Sequence, residues 1–143
     1  MTERVEDGTT WTQTFNAEGQ LSQITDGSDT WTFIYDGDGN RIKQSNPDGT
    51  TTLFLGGGAY EAYIDGQTTT ETKYYAIAGQ RVMRDSSGLH YLLSDHLRSV
   101  VAVLDSNGDL ESDERYLPFG GSRDSTGLSQ TDFAFTGQRN LGF

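Results

Sequence analysis

Apolar and polar residues alternate along most of this chain in short runs bounded by Gly, Asp, Asn and Ser, and a period of two predicts strands. Trp11, Gln13 and Phe15 fall on one face with Thr12 and Thr14 on the other; Trp31, Phe33 and Tyr35 repeat that face with Thr32 and Ile34 opposite. Each run ends in an aromatic and is followed by a reversal, Asn16 to Gly19 or Asp36 to Gly39, whose side chains and glycine suit backbone turns with positive φ. The expected return strands lie near 20–25 and 40–45. Asp26-Gly27-Ser28-Asp29, Asn46-Pro47-Asp48-Gly49 and Asp65-Gly66 read as connecting turns, which places further strands near 50–55, 59–64 and 68–76. Gly56-Gly57-Gly58 reads as a bulge or a flexible crossing. Later strands are expected at Val82–Arg84, Leu89–Leu93, Val100–Leu104 and Asp109–Tyr116, with Ser94 to Ser99 as one helical turn capped by Ser94 or Asp95.

The runs also repeat. Thr10-Trp11-Thr12 returns twenty residues later as Thr30-Trp31-Thr32, Phe15-Asn16-Ala17-Glu18-Gly19 as Tyr35-Asp36-Gly37-Asp38-Gly39, and Gly39-Asn40-Arg41-Ile42 has a degenerate echo in Gly79-Gln80-Arg81-Val82. A fixed period marks an array of like supersecondary units, which points to a scaffold before an enzyme.

Composition narrows the classes. A chain of 143 residues with a net charge of −11 is repelled by nucleic acid and by anionic membrane surfaces. There is no cysteine, so disulfide and thiolate-metal chemistry are excluded. Met1 to Asp7 lacks the apolar stretch of a secretory signal, and no run of apolar residues is long enough for a membrane helix.

Four ordered motifs then carry a family resemblance. Tyr35-Asp36-Gly37-Asp38-Gly39-Asn40-Arg41 resembles the tyrosine-aspartate (YD) repeat. The succession of Tyr91 to Leu97 with Asp95-His96-Leu97, Val100 to Gly108, Arg115-Tyr116-Leu117-Pro118-Phe119-Gly120, and Phe135-Thr136-Gly137-Gln138-Arg139 is similar to the RHS repeat-associated core domain. The likeness is loose over 10–73 and specific over 74–139. It implies an all-β strip of antiparallel β-hairpins in a curved, RHS-shell-like sheet. In larger relatives, such as polymorphic toxins, insecticidal toxin-complex components and more distantly teneurins, that strip winds into a hollow shell around a toxin or adhesive domain. It further implies structural roles for Tyr35, Asp36, Gly39, Arg41, Asp95, His96, Leu97, Gly108, Tyr116, Pro118, Phe119, Gly120, Gly137, Gln138 and Arg139. Two departures stand out. Arg98 occupies a place where the family usually has glycine, with strain expected if its φ is positive. No Asp-Pro pair is present, since Pro47 follows Asn46 and Pro118 follows Leu117. The expected chain is therefore a shell fragment without the self-cleavage region or toxin.

Candidate chemistry is sparse. Asp36, Asp38 and Asn40 have the spacing that opens a calcium loop, but Arg41 and Pro47 stand where such loops need glycine and a bidentate glutamate. Asp105, Asn107 and Asp109 fail similarly at Leu110 and Tyr116. Asp95-His96 with Ser94 or Ser99 has the residue types of a hydrolytic set, yet triad members normally converge from distant segments. His90 and His96 lack a third metal ligand. Trp11, Trp31, Phe33, Tyr60, Tyr63, Tyr74 and Tyr75 suit either packing between hairpins or a carbohydrate-stacking surface.

The reading is thus of YD-type hairpins over 1–73 and an RHS core-like continuation over 74–143, loosely ordered from 120. No catalytic, metal or cofactor site is expected. The function is a non-catalytic scaffold, a segment of a shell that encapsulates or presents a toxin or effector, or a self-associating relative; the alternative is a cell-surface or carbohydrate-binding module. The expected partners are further copies or the rest of a shell, met through open strand edges, without nucleic acid or membrane insertion. The family implies a secreted or cell-surface setting within a larger bacterial system.

Overall fold

The computed structural model describes residues 1–6, 8–127 and 131–139. It is all-β and antiparallel, with strands β1 (Thr2–Glu6), β2 (Thr9–Phe15), β3 (Leu21–Thr25), β4 (Thr30–Tyr35), β5 (Arg41–Ser45), β6 (Thr51–Leu55), β7 (Tyr60–Asp65), β8 (Thr68–Ile77), β9 (Gln80–Arg84), β10 (Leu89–Ser94), β11 (Val100–Leu104), β12 (Leu110–Tyr116) and β13 (Ser122–Thr126). Strand order follows chain order. The chain divides into two compact units, Met1–Thr72 and Lys73–Phe143. No helix among the described residues is long and apolar enough to cross a membrane.

In the first unit, alternation places Ile24, Phe33, Gln44 and Phe54 inward, each at most 9% exposed. Register sets Ile24 opposite Trp31 and Phe33 opposite Gln44. The rings of Trp11 and Trp31 meet at 5.8 Å with a 47° tilt, so the repeated tryptophans pack on each other. Val5 alone is apolar in β1, which explains why hydrophobic alternation does not reveal that strand; it forms by pairing Thr2–Glu6 with Thr9–Gln13. The three glycines at 56–58 all have positive φ and reverse the chain between β6 and β7, which pair from Thr51↔Ile64 to Leu55↔Tyr60. They are a hairpin turn rather than a bulge or crossing, because the strands on either side continue one ladder.

In the second unit, Tyr74, Met83, Leu92, Val100 and Val103 form the core, with Phe133 packed against it. The segment 131–139 crosses this core face and closes on itself by the bridge Phe133↔Arg139, with a single 3-10 turn at Phe135–Gly137. Strand β13 is exposed throughout and has no large apolar residue, so it too escapes an alternation search and is held by its ladder to β12.

The expected helical turn at 94–99 is instead a hairpin loop. Asp95 N–H donates to the Ser99 carbonyl at 2.9 Å, Arg98 N–H donates to the Asp95 carbonyl at 3.0 Å, and Arg98 turns to φ 69°. That left-handed residue stops helical propagation, and the pair Ser94↔Val100 resumes the sheet at once.

Candidate functional site

The motif residues converge on one loop design. At 16–20, 36–40, 46–50, 95–99, 105–109 and 117–121 the first N–H donates to the fifth carbonyl, and the fourth N–H donates to the first carbonyl, all within 2.7–3.1 Å. The same closure recurs at 134–138, with Ala134 N–H to the Gln138 carbonyl at 2.8 Å and Gly137 N–H to the Ala134 carbonyl at 3.1 Å. The fourth residue has positive φ in each of these: Gly19, Gly39, Gly49, Arg98, Gly108, Gly120 and Gly137. Arg98 therefore does sit in the conformation its glycine counterparts occupy, and it carries the strain of a side chain there.

The leading Asp closes the loop from the side-chain end. Asp36 Oδ1 accepts from the N–H of Asp38 at 3.0 Å and of Asn40 at 2.8 Å. Asp105 does the same for Asn107 and Asp109, and Asp95 for Leu97 and Ser99. Asn16 makes the equivalent bonds to Glu18 and Gln20 with a neutral amide oxygen. The bonds from Asn40 hold the Asp36 carboxyl below its ordinary value, and the Asp109 N–H does so for Asp105. Asp36 thus spends its carboxylate on its own turn, accepting from the Asp38 and Asn40 N–H groups and from the Asn40 side-chain amide, and no group of three His, Asp or Glu side chains is placed to hold a metal among the described residues.

The tyrosine before the loop ties it to the preceding one. Tyr35 donates its hydroxyl to the Leu21 carbonyl at 2.9 Å, one residue past the 16–20 loop. Tyr116 donates to the Val100 carbonyl at 2.9 Å, one residue past the 95–99 loop. Burial pushes the Tyr116 phenol up to about 12, helped by the charges of Glu114 and Asp95. The arginine that follows the loop is a stacking residue. The Arg41 guanidinium lies 4.7 Å from the Phe54 ring centre and 5.7 Å from that of Phe33. Arg139 lies 4.1 Å from the centre of Phe133, which also carries Arg81 at 3.6 Å and meets Tyr74 edge-on at 5.0 Å.

The remaining motif residues dock the 131–139 segment or project outward. A Cβ on Gly120 would stand 2.8 Å from the Phe135 ring, and one on Gly137 would stand 3.0 Å from the Arg98 carbonyl oxygen, so both glycines permit close contact. Thr136 N–H donates to the fully buried Ser99 hydroxyl at 3.1 Å. His96, Leu97, Pro118 and Gln138 are exposed, and Phe119 is 98% exposed. Asp95 and Ser99 meet within their own loop, where Asp95 accepts from the Ser99 N–H, but His96 faces solvent and the buried Ser99 hydroxyl receives the Thr136 N–H, so the three do not form a hydrolytic set.

A different histidine is buried. His90 is 3% exposed, with Nδ1 at 2.5 Å from Glu111 Oε2 and Nε2 at 2.9 Å from Ser87 Oγ and 3.2 Å from Asp85 Oδ1. The connectivity is that of a Ser-His-carboxylate set, but its chemistry is not. Ser87 donates its hydroxyl to Asp85 at 2.6 Å, and the Ser87 and Gly88 N–H groups, which an oxyanion would need, also donate to Asp85. Burial by itself would lower the imidazole, but the hydrogen bonds to Glu111 and Asp85 outweigh it and raise it above its ordinary 6.5. The spacing of Asp85, Ser87 and His90 around one turn was available in the sequence; Glu111 was not, since only the sheet brings β12 to β10.

Residues 15–51 match the family model for the RHS repeat. No curated protein sequence matches the chain. Among solved structures, a crystal structure of TcdB2-TccC3-Cdc42 is similar with a TM-score of 0.73 and 21% identity over 92% of this chain. A Photorhabdus luminescens Tc holotoxin pore bearing a TccC3 substitution has a TM-score of 0.75 and 20% identity over 94% of this chain. This chain covers 8% of the length of each of those chains. The likeness establishes a shared fold. The YD hairpin at 35–41 lies inside the matched segment, and the chain carries an RHS repeat, over residues 15–51, in a fold common to these Tc toxin structures.

Proposed function

We propose that this chain is a non-catalytic structural scaffold, a segment of an RHS-type shell that encapsulates or presents a toxin or effector, or that joins with further copies. The observation that carries this reading is the use of the motif residues. Asp36, Asp95 and Asp105 close their own loops, Tyr35 and Tyr116 tie loop to loop, and Arg41 and Arg139 stack on rings. Tyr35 and Tyr116 hold one hairpin to the next, and the Asp and Arg residues shape the loops and segments that they join. The edge strands β1 and β13, each paired on one side among the described residues, supply N–H and C=O groups for a further strand. The setting this reading carries is secreted or cell-surface, within a larger assembly such as the Tc complexes whose fold it shares.

The test is solution mass by light scattering after size exclusion over a wide range of concentration. Growth beyond the 15.7 kDa monomer supports edge pairing. A monomer at every concentration overturns self-association and leaves incorporation into a larger shell, which co-purification with the other RHS segments of the same system would then detect.

One observation favours a glycan-binding alternative. Tyr75 and Tyr91 are each paired with Val82, so they share a face two strands apart, about 10 Å, and are 45% and 40% exposed. Polysaccharide titration read by tyrosine fluorescence, lost in Tyr75→Ala, would support that reading; no response would remove it.

A further inference from the structure

We propose that His90 is a pH-responsive staple, holding the β9–β10 turn to the start of β12 while its imidazole is protonated and relaxing that hold when the proton leaves. The proposal rests on geometry within the second unit and does not depend on the scaffold role. His90 is buried on β10, and its two ring nitrogens point to carboxylates on two other segments: Asp85 in the turn and Glu111 on β12. An imidazolium has two N–H donors and serves both; a neutral imidazole has one.

The other groups around it leave this pairing undisturbed. Tyr74 and Met83 stand in register with His90 on β8 and β9, and the Tyr74 hydroxyl is engaged with Thr131 at 3.3 Å. At the end of β11, Asp105 turns its carboxylate into its own loop, toward Asn107 and Asp109. Asp85 and Glu111 are therefore the carboxylates that read the charge state of His90.

Ser87 supplies the relay. In the protonated state Nε2–H donates to Ser87 Oγ and Asp85 Oδ1, and Ser87 Oγ–H donates to Asp85. When the Nε2 proton leaves to solvent, Nε2 becomes an acceptor. Ser87 can then donate to it only by abandoning Asp85, which retains the backbone N–H groups of Ser87 and Gly88 alone. The turn thereby loses two of its bonds while Glu111 keeps Nδ1–H.

The sign follows from linkage. A histidine whose folded value exceeds its unfolded value of about 6.5 contributes stability in full below that value, and loses it as pH rises through the folded one. The Asp85 carboxyl is raised by burial but lowered further by its bonds to Ser87, His90 and Gly88, so it stays ionised until the pH falls below 3.8. The Asp85 arm of the staple is complete between these limits.

The experiment is NMR titration of the imidazole in the full chain, with hydrogen exchange of the Ser87 and Gly88 amides from pH 6 to 9 after correction for intrinsic exchange. The expected midpoint for His90 lies above 6.5. The opening equilibrium should rise with pH up to the folded midpoint and then level off, tenfold for each unit by which folded exceeds unfolded. Glu111→Gln, at a half-buried position, should lower the midpoint, and His90→Gln should flatten the response. A midpoint at or below 6.5, pH-independent opening, or an unmoved midpoint in Glu111→Gln would overturn the proposal. If His90→Gln does not fold, the Glu111→Gln titration alone decides.

Discussion

At the scale of single residues, the loops say what each side chain is for. Arg98 adopts φ 69° where six equivalent positions hold glycine. A left-handed L-residue costs roughly 1–2 kcal/mol, partly offset because glycine loses about 0.5–1 kcal/mol more chain entropy on folding. Arg98→Gly is expected to stabilise the chain by about 0.5–1 kcal/mol, read as a higher urea midpoint; a lower one would mean that the Arg98 side chain contributes contacts that outweigh the strain. Asn16 already performs the Asp36 role with an amide oxygen. Asp36→Asn should therefore keep the loop closed at neutral pH, whereas Asp36→Ala should lose it, and thermal melts of the two variants will separate. Tyr35→Phe leaves the Leu21 carbonyl without its donor at 2.9 Å and should cost about 1 kcal/mol.

At the scale of elements, the segment 131–139 is held to the second unit by side chains as well as by the bond from the Val100 N–H to the Ala134 carbonyl at 3.2 Å. Its Phe133 ring sits between Arg81 at 3.6 Å and Arg139 at 4.1 Å, and edge-on to Tyr74. Arg139 is further held by Asp132 at 3.3 Å. Phe133→Ala removes the ring that all three share and should destabilise the unit by about 3 kcal/mol, measured by chemical denaturation. Phe133→Leu restores burial without a π face, so the difference between the two variants isolates the stacking contribution. The sequence shows Phe133 and Phe135 as apolar but says nothing of Arg81, which lies more than fifty residues earlier, on β9, and meets the ring only in the folded unit.

At the scale of the whole molecule, charge governs both acid stability and association. The carboxyls of Asp26, Asp36 and Asp105 are held below 3.8 mainly by bonds from backbone N–H groups and that of Asp48 by the Thr50 hydroxyl, while at Asp95 burial pushes upward and is outweighed by the N–H groups of Ser99 and Leu97 together with its other partners. Depressed carboxyls stabilise above their unfolded value and lose that contribution as pH falls through the folded one. The melting temperature, followed by far-ultraviolet circular dichroism, should thus fall as the pH drops below the ordinary carboxylate range. Copies bearing a net charge of −11 repel one another, and salt shortens the reach of that repulsion to about 10 Å at 0.1 M. If strips join at β1 and β13, light scattering should show larger species as salt rises.

The amino-acid sequence by itself determined the strands with an apolar face and most of the turns between them, since Asp, Asn and Gly act through bonds to residues two to four positions away; the loop at 94–99 and the reversal at Gly56–Gly58 took their form from the ladders on either side. It also singled out Arg98, because one missing glycine in a repeated loop is a local fact. Only the tertiary structure decided the rest. The edge strands β1 and β13 form through a neighbour's hydrogen bonds and carry no hydrophobic signal. Tyr35 reaches Leu21, Tyr116 reaches Val100, and His90 meets Glu111 across separations that pairing register alone sets. Local chemistry writes the hairpins; which side chains meet depends on how the strands stack side by side.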